Sequence, residues 1–468
     1  MTAILFTLCL ATPIQAASWA PIQSISLSEI SLGEFPVTMA VTLRNAIKSS
    51  DGTRAAMPIR DNQGERVVVN GIAGPTFDRI VPNSIRMSVD GLRLIYVGQR
   101  GQTQYLWDEG KETELQGPLI GLAMTPNGKV LYTVLRSMPD RRARIFKDGT
   151  PVADADDVTG IQTSGETFAF FAKQTCELFV TREAGKEGPF DRIEHWAAGT
   201  SQNSYAFVGT YRGISEIVRP TVRLPIAADS MILALEVNAT GDTVVHMSAV
   251  QNATTTDIVA YVNGKEVQRV SSDSGPGSLP VAFSKDGTRA AWAIVDLEHK
   301  QSLLNIDGKV SKVPDQVENI FLAPSADRVA MLLSKFDGTD ALRWITLDNT
   351  AGPKIPMVRP ESIKFSPDGT HFSYVAEYGD QSKRAVVDQM LRPGYSTVST
   401  PTYGSTGDVV AYIVAAKNVW QLVTNVRKSV VQADDVYGET LQFSGTRELH
   451  FIGRRGKKLI RFAAQIGE

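Results

Sequence analysis

The sequence predicts an all-β chain: a β-propeller of about eleven four-stranded blades. Three observations predict it. A turn signature returns about every 39 residues, a second Gly turn falls near the middle of each unit, and short β-branched or aromatic runs separate the turns. Little sequence is left over for helix.

The repeat is plainest in four places. Phe365-Ser366-Pro367-Asp368-Gly369-Thr370 precedes an apolar-rich run at 371–377, and Phe283-Ser284-Lys285-Asp286-Gly287-Thr288 precedes one at 289–295. Met124-Thr125-Pro126-Asn127-Gly128-Lys129 and Met87-Ser88-Val89-Asp90-Gly91 behave alike. With weaker copies included, the turn marker falls at 52, 91, 128, 165, 203, 241, 287, 327, 369, 407 and 445. Asp-Gly and Asn-Gly supply the positive φ that tight hairpins require. About twenty residues later come Asn70-Gly71, Asp148-Gly149, Asn263-Gly264 and Asp307-Gly308, each after a strand-like run. Two matched stretches, Phe77-Asp78-Arg79-Ile80 and Phe190-Asp191-Arg192-Ile193, are assigned to the end of their units. Ala155-Asp156-Asp157-Val158 and Ala433-Asp434-Asp435-Val436 form a second matched pair.

Each unit therefore reads strand, Gly turn, strand, variable loop, strand, Gly turn, strand. One such sheet cannot bury both its faces, and packing sheets face to face around an axis solves this. The last unit supplies about three strands, and the segment Glu34 to Leu43 is expected to complete it and close the ring. Propellers usually have four to eight blades. The Gly/Ser/Pro-rich insertion at 271–278 divides the units six to five. Two rings, over 18–279 and 280–468, are therefore favoured, with one unusually large ring as the alternative.

Residues 1–28 carry no charged side chain. The apolar run Ala3 to Ala11 is too short to span a bilayer, and Ala16-Ala17-Ser18 follows Pro13. This reads as a secretory signal over 1–17, although no Lys or Arg precedes the run. Cys9 lacks a lipoprotein context, and Cys176 alone would remain after cleavage, so no internal disulfide is expected. The expected location is the periplasm or outside the cell. A net charge of −2 with no block of one sign argues against nucleic acid as partner.

The Phe-Ser-Pro-Asp-Gly-Thr unit at 365–370, with its relatives at 283–288 and 124–129, resembles the WD40-like, TolB-type propeller repeat of bacterial envelope proteins. The resemblance implies a periplasmic scaffold that binds other envelope proteins. It also covers propellers that gate serine peptidases, but no hydrolase domain follows here. It carries over no binding residue.

Chemical motifs are sparse. His195, His246, His299, His371 and His450 fall at non-equivalent positions and read as surface or packing residues. Gly404-Ser405-Thr406-Gly407 lacks one residue of a nucleophile elbow and coincides with a repeat turn. Asp154, Asp156 and Asp157 match no calcium loop. No cofactor is expected. The second connections of the units are read as longer, polar and varied, so they and the fourth connections form the recognition face, opposite the Gly turns. Arg141, Arg142, Glu298, His299 and Asp380 are the candidate partner-binding residues. The function expected is a non-catalytic interaction scaffold with an envelope or extracellular protein as partner. The alternative is a propeller hydrolase or lyase acting on a glycan or lactone at the ring axis.

Overall fold

The computed structural model describes residues 19–34, 47–49, 54–137, 140–164, 167–175, 177–182, 185–199, 201, 204–252, 255–272, 277–324, 327–336 and 342–467. The expected signal segment, Cys176 and most of the expected closing segment at 34–43 lie outside these residues.

Blade 7 shows the unit at its simplest. Its strands Val281–Phe283, Ala290–Asp296, Gln301–Ile306 and Lys309–Val313 pair antiparallel in chain order. Eleven such sheets follow one another along the chain. First strands of consecutive blades touch, so they lie nearest the axis, while fourth strands are the most exposed. No α-helix occurs among the described residues; the one helical turn is a three-residue 3-10 segment, Pro360–Ser362.

The core lies between blades, as the repeat requires. Val245, Met247 and Ile258 of blade 6 share a cluster with Trp292 and Ile294 of blade 7. The Trp292 indole also donates to Gln268 Oε1 at 3.0 Å. Packing thus runs straight across the 271–278 insertion. At the other junction, Ile452 and Leu459 of blade 11 pack on Ala55, Met57 and Val68 of blade 1. It is one ring of eleven blades. The favoured division into two rings is therefore corrected: the linker-like composition of 271–278 marks no boundary between rings, because the apolar faces of blades 6 and 7 bury each other.

Closure is by an N-terminal strand, but an earlier one than expected. Ser24–Glu34 forms the outer strand of blade 11, in register from Ser24 opposite Gly467 to Glu34 opposite Lys458. The blade's other strands are Asp435–Phe443, Glu448–Arg455 and Lys458–Gly467. The closing strand was hidden because the stretch before Glu29 is uncharged and runs on from the signal-like segment. Its alternation buries Leu32 alone among its apolar residues, and Ile22 just ahead of it is also buried.

The matched Phe-Asp-Arg-Ile stretches straddle two blades: Phe77 pairs with Glu65 of blade 1 and Phe190 ends the fourth strand of blade 4, while the Arg-Ile parts open the next blade. Arg79–Ile80 pairs with the second strand of blade 2, and Arg192–Ala198 is the first strand of blade 5. His195 lies within this first strand. First strands are bulged or split in most blades. Where they break, a hydroxyl replaces the missing carbonyl. Ser84, Ser362, Ser399 and Thr440 accept the N–H of Val97, Val375, Ile413 and Ile452 at 3.0, 2.8, 2.9 and 2.7 Å.

Candidate functional site

The two faces of the ring differ in what their residues are used for. On the Gly-turn face, the first turn is a closed hydrogen-bond unit. Ser366 Oγ donates to Asp368 and accepts the N–H of His371, and Asp368 accepts the N–H of Thr370. Ser88, Ser284 and Thr125 repeat the arrangement. In the second turn, both central residues have positive φ, as in Asn70 (46°) and Gly71 (79°). The Asx side chain there also caps the second strand. Asp148, Asn263, Asp307, Asp348 and Asp388 accept the N–H of Leu131, Val244, Ala290, Val329 and Phe372 at 2.9–3.0 Å.

A basic side chain, Arg in four blades and His in a fifth, ties these turns together. It stands five residues after the turn serine or its equivalent, as Arg54, Arg93, Arg289, Arg328 and His371. Within the blade, Arg93, Arg289, Arg328 and His371 bond Asp108, Asp307, Asp348 and Asp388 at 2.7–2.9 Å. Across the junction, Arg54 and Arg93 donate to the carbonyls of Gly91 and Gly128 at 2.8 and 2.7 Å, and Arg328 donates to that of Thr370. Sequence reasoning passed over this belt, although a basic residue two places after the turn Gly was its visible trace.

On the opposite face, second connections fall into two kinds. In blades 1, 2, 4, 5, 10 and 11, only two residues separate the second and third strands. In blades 2, 4, 5 and 11, that turn is capped by an Asp from the start of the blade. Asp78, Asp156, Asp191 and Asp434 accept the N–H of Gly101, Thr175, Arg212 and Gly456 at 2.6–2.7 Å. This explains the matched Asp positions without an ion. Asp154 and Asp157 pair with Arg144 and Arg136. The expectation of long, varied loops throughout is thus corrected. They occur in blade 3 (137–142) and in the consecutive blades 6, 7, 8 and 9, at 252–255, 297–300, 335–342 and 378–382.

The five candidate residues all lie in these loops and all are exposed. In blade 3, Arg141 (φ 58°) receives a hydrogen bond from Arg136 on its carbonyl, and Arg142 lies 3.5 Å from Asp156. In blade 7, the nearly buried Asp296 organises the loop, accepting the His299 N–H at 3.1 Å and meeting His299 Nδ1 at 2.8 Å. Burial opposes ionisation of Asp296, but the His299 backbone and the side chains of Gln301 and His299 outweigh it and hold its carboxyl below the usual range. Glu298 lies beside His299 in this loop. In blade 9, Asp380 accepts the N–H of Ser382 at 2.8 Å, and the Ser382 side chain and N–H lower its pKa. Glu298, His299 and Asp380 share the arc of blades 6–9, whereas Arg141 and Arg142 stand apart on blade 3.

First strands line the ring's inner side. In blades 3 and 4 they offer Ile120, Gly121, Leu122, Thr159, Gly160 and Ile161 along one shallow groove. In blades 7–9, Phe283, Phe321 and Phe365 line another, with Lys364 beside them. Arg86, Glu236 and Lys364 occupy matching places, two residues before Ser88, Asn238 and Ser366, in blades 2, 6 and 9. Burial alone pushes the pKa of Arg86 and Lys364 down and that of Glu236 up. These blades are not neighbours, so the three charges do not form one cluster. Among the described residues, no group of three His, Cys, Asp or Glu is placed to hold a metal. His246, His371 and His450 are buried in packing between strands.

No protein-family model matches the chain, and no curated protein matches it. Solved structures that it resembles include dipeptidyl peptidase 4 of Porphyromonas gingivalis, at 10% identity over 82% of this chain and 65% of that one, TM-score 0.36. Dihydro-heme d1 dehydrogenase NirN matches at 12% identity over 82% and 81%, TM-score 0.30. The β-propeller domain of Cps50 (Swd1) from Myceliophteria thermophila matches at 11% identity over 87% and 98%, TM-score 0.22. Identities and TM-scores this low say nothing of what this chain binds.

Proposed function

We propose that the protein is a non-catalytic interaction scaffold of the bacterial cell envelope. Its partner is a protein, bound by the loops of blades 6–9. One observation carries this reading: long second connections are gathered on four consecutive blades, while six of the remaining seven have two-residue turns. The opposite face is occupied by structural bonds between blades, which leaves the loop arc as the part free to vary on a rigid support. The arc is mixed in character. Glu298, His299 and Asp380 are exposed polar groups, and Leu297 is an exposed apolar one beside them. The envelope location rests on the uncharged N-terminal stretch and on the TolB-type repeat resemblance.

The test compares two loop variants for capture of a partner from native envelope extract. Shortening 297–300 and 378–382 to two-residue Asn-Gly turns should abolish capture. An equally radical change of the turns at 101–102 and 212–213 should leave it intact. Capture that survives loss of the arc loops overturns the assignment.

A further inference from the structure

The inner wall of the ring repeats one place in each blade, two residues before the turn serine or its equivalent. What fills that place differs along the ring. In blades 7, 8 and 9 the turns begin at Ser284, Ala323 and Ser366, so the place falls to Ala282, Phe321 and Lys364. One residue earlier, Ile320 and Ile363 are buried in the cores between blades. One residue later, Phe283 and Phe365 are half-buried, as is Phe321. Across these first strands runs a shallow groove of about 240 Å³, lined by Ala282, the three Phe rings and Lys364.

Lys364 marks the blade 9 end of the groove. Its side chain is exposed, and it makes no hydrogen bond or ion pair with any described residue. The apolar walls withdraw water from the ammonium without offering an anion, so burial alone lowers its pKa. Beyond the other end, Glu236 of blade 6 holds the same place in its blade, and the first strands of blades 6 and 7 touch. Burial alone raises the pKa of Glu236, so the two charges do not neutralise each other along the groove.

We propose that this groove binds a medium-chain fatty carboxylate, with its head on Lys364 and its chain laid across Phe321 toward Phe283. The carboxylate gives Lys364 the charge-assisted hydrogen bond that the protein does not supply. The alkyl chain removes half-exposed aromatic surface from water. The groove is smaller than the roughly 300–1,000 Å³ of sites that enclose drug-sized ligands, which suits a single thin chain. A second acidic group at the far end would approach Glu236, which fixes the direction of the chain. The site lies on the inner wall, apart from the loop arc, and does not depend on the scaffold reading.

Calorimetric titration of the full chain with octanoate, 1-octanol, butyrate and octanedioate tests the proposal. Octanoate should bind at least about tenfold tighter than 1-octanol, which lacks the charge, and than butyrate, which lacks the chain. Octanedioate should bind more weakly than octanoate. Lys364→Met keeps an apolar stem without the ammonium, and should weaken octanoate about tenfold while leaving 1-octanol unchanged. Phe321→Ala should weaken octanoate and 1-octanol alike, with a melting curve to show that the variant is folded. No binding of octanoate, or undiminished binding to the exposed-site variant Lys364→Met, overturns the site. Octanedioate binding as tightly as octanoate overturns the direction assigned to the chain.

Discussion

Individual side chains in this ring do two jobs at once, and their neighbours decide which is felt. Gly128 and Gly149 both have positive φ, at 71° and 80°. A Cβ at Gly149 would meet nothing within 4 Å, whereas one at Gly128 would lie 2.8 Å from the Ser88 Cβ of the preceding blade. Gly149→Ala should therefore cost about 1 kcal/mol from backbone strain alone. Gly128→Ala should cost roughly 1–3 kcal/mol more, from overpacking between blades. Equal losses in chemical denaturation would show that the turns do not nest. His246 is the second case. It is 4% exposed, stacks on Tyr261 at 4.6 Å, and burial lowers its pKa from 6.5 to about 4. Below pH 6.5 the unfolded chain takes up a proton that the native site refuses. Stability is thus lost as pH falls from about 6.5 toward 4, by about 2 kcal/mol at pH 5. His246→Phe should flatten the fall in melting temperature between pH 7 and pH 5. A variant that loses as much as the unaltered chain refutes this.

The elements were legible to different degrees. Second and third strands are long, β-branched and bounded by Gly turns, so a period-two reading finds them. First strands are broken by bulges that Ser and Thr hydroxyls repair, which blurs any alternation. For this reason the Arg-Ile halves of the Phe-Asp-Arg-Ile stretches do not read as the opening of a blade. Turn serines such as Ser284 and Ser366 read as generic turn residues, although both are buried and each hydroxyl donates one hydrogen bond and accepts another. The closing strand is the element with most at stake. Arg455 grips Glu29 through both carboxylate oxygens, at 2.9 and 2.6 Å, and Leu32 and Ile22 enter the core on either side. Leu32→Ala should cost about 2–5 kcal/mol. Deleting 19–34 should lower the melting temperature sharply and expose the edge of Lys458–Gly467, promoting self-association. A monomer with an unchanged melt would refute the role assigned to this strand.

At the scale of the whole molecule, one ring makes every blade a neighbour of two others, so the stretch at 271–278 joins halves that are already packed together. Cleavage at a protease site introduced within 273–276 should leave a single particle in size-exclusion chromatography under native conditions, held by the blade 6–7 core and by blade 11 on blade 1. Separation into two folded fragments would restore the two-ring reading. The single ring also sets the geometry of recognition. Loops from blades 6–9 share one arc, and those of blade 3 stand outside it, so Arg141 and Arg142 should contribute least to any partner held there.

The repeat, the four strands per unit, the two kinds of Gly turn and the absence of a metal or nucleophile motif were all determined by the sequence, because each depends on residues close together in the chain. Ring number, the position of the closing strand and the belt of Arg side chains were decided only by the tertiary structure. Each depends on which residue a neighbouring blade presents, about 39 or more positions away. At that distance, a repeat states that something will be there but not what.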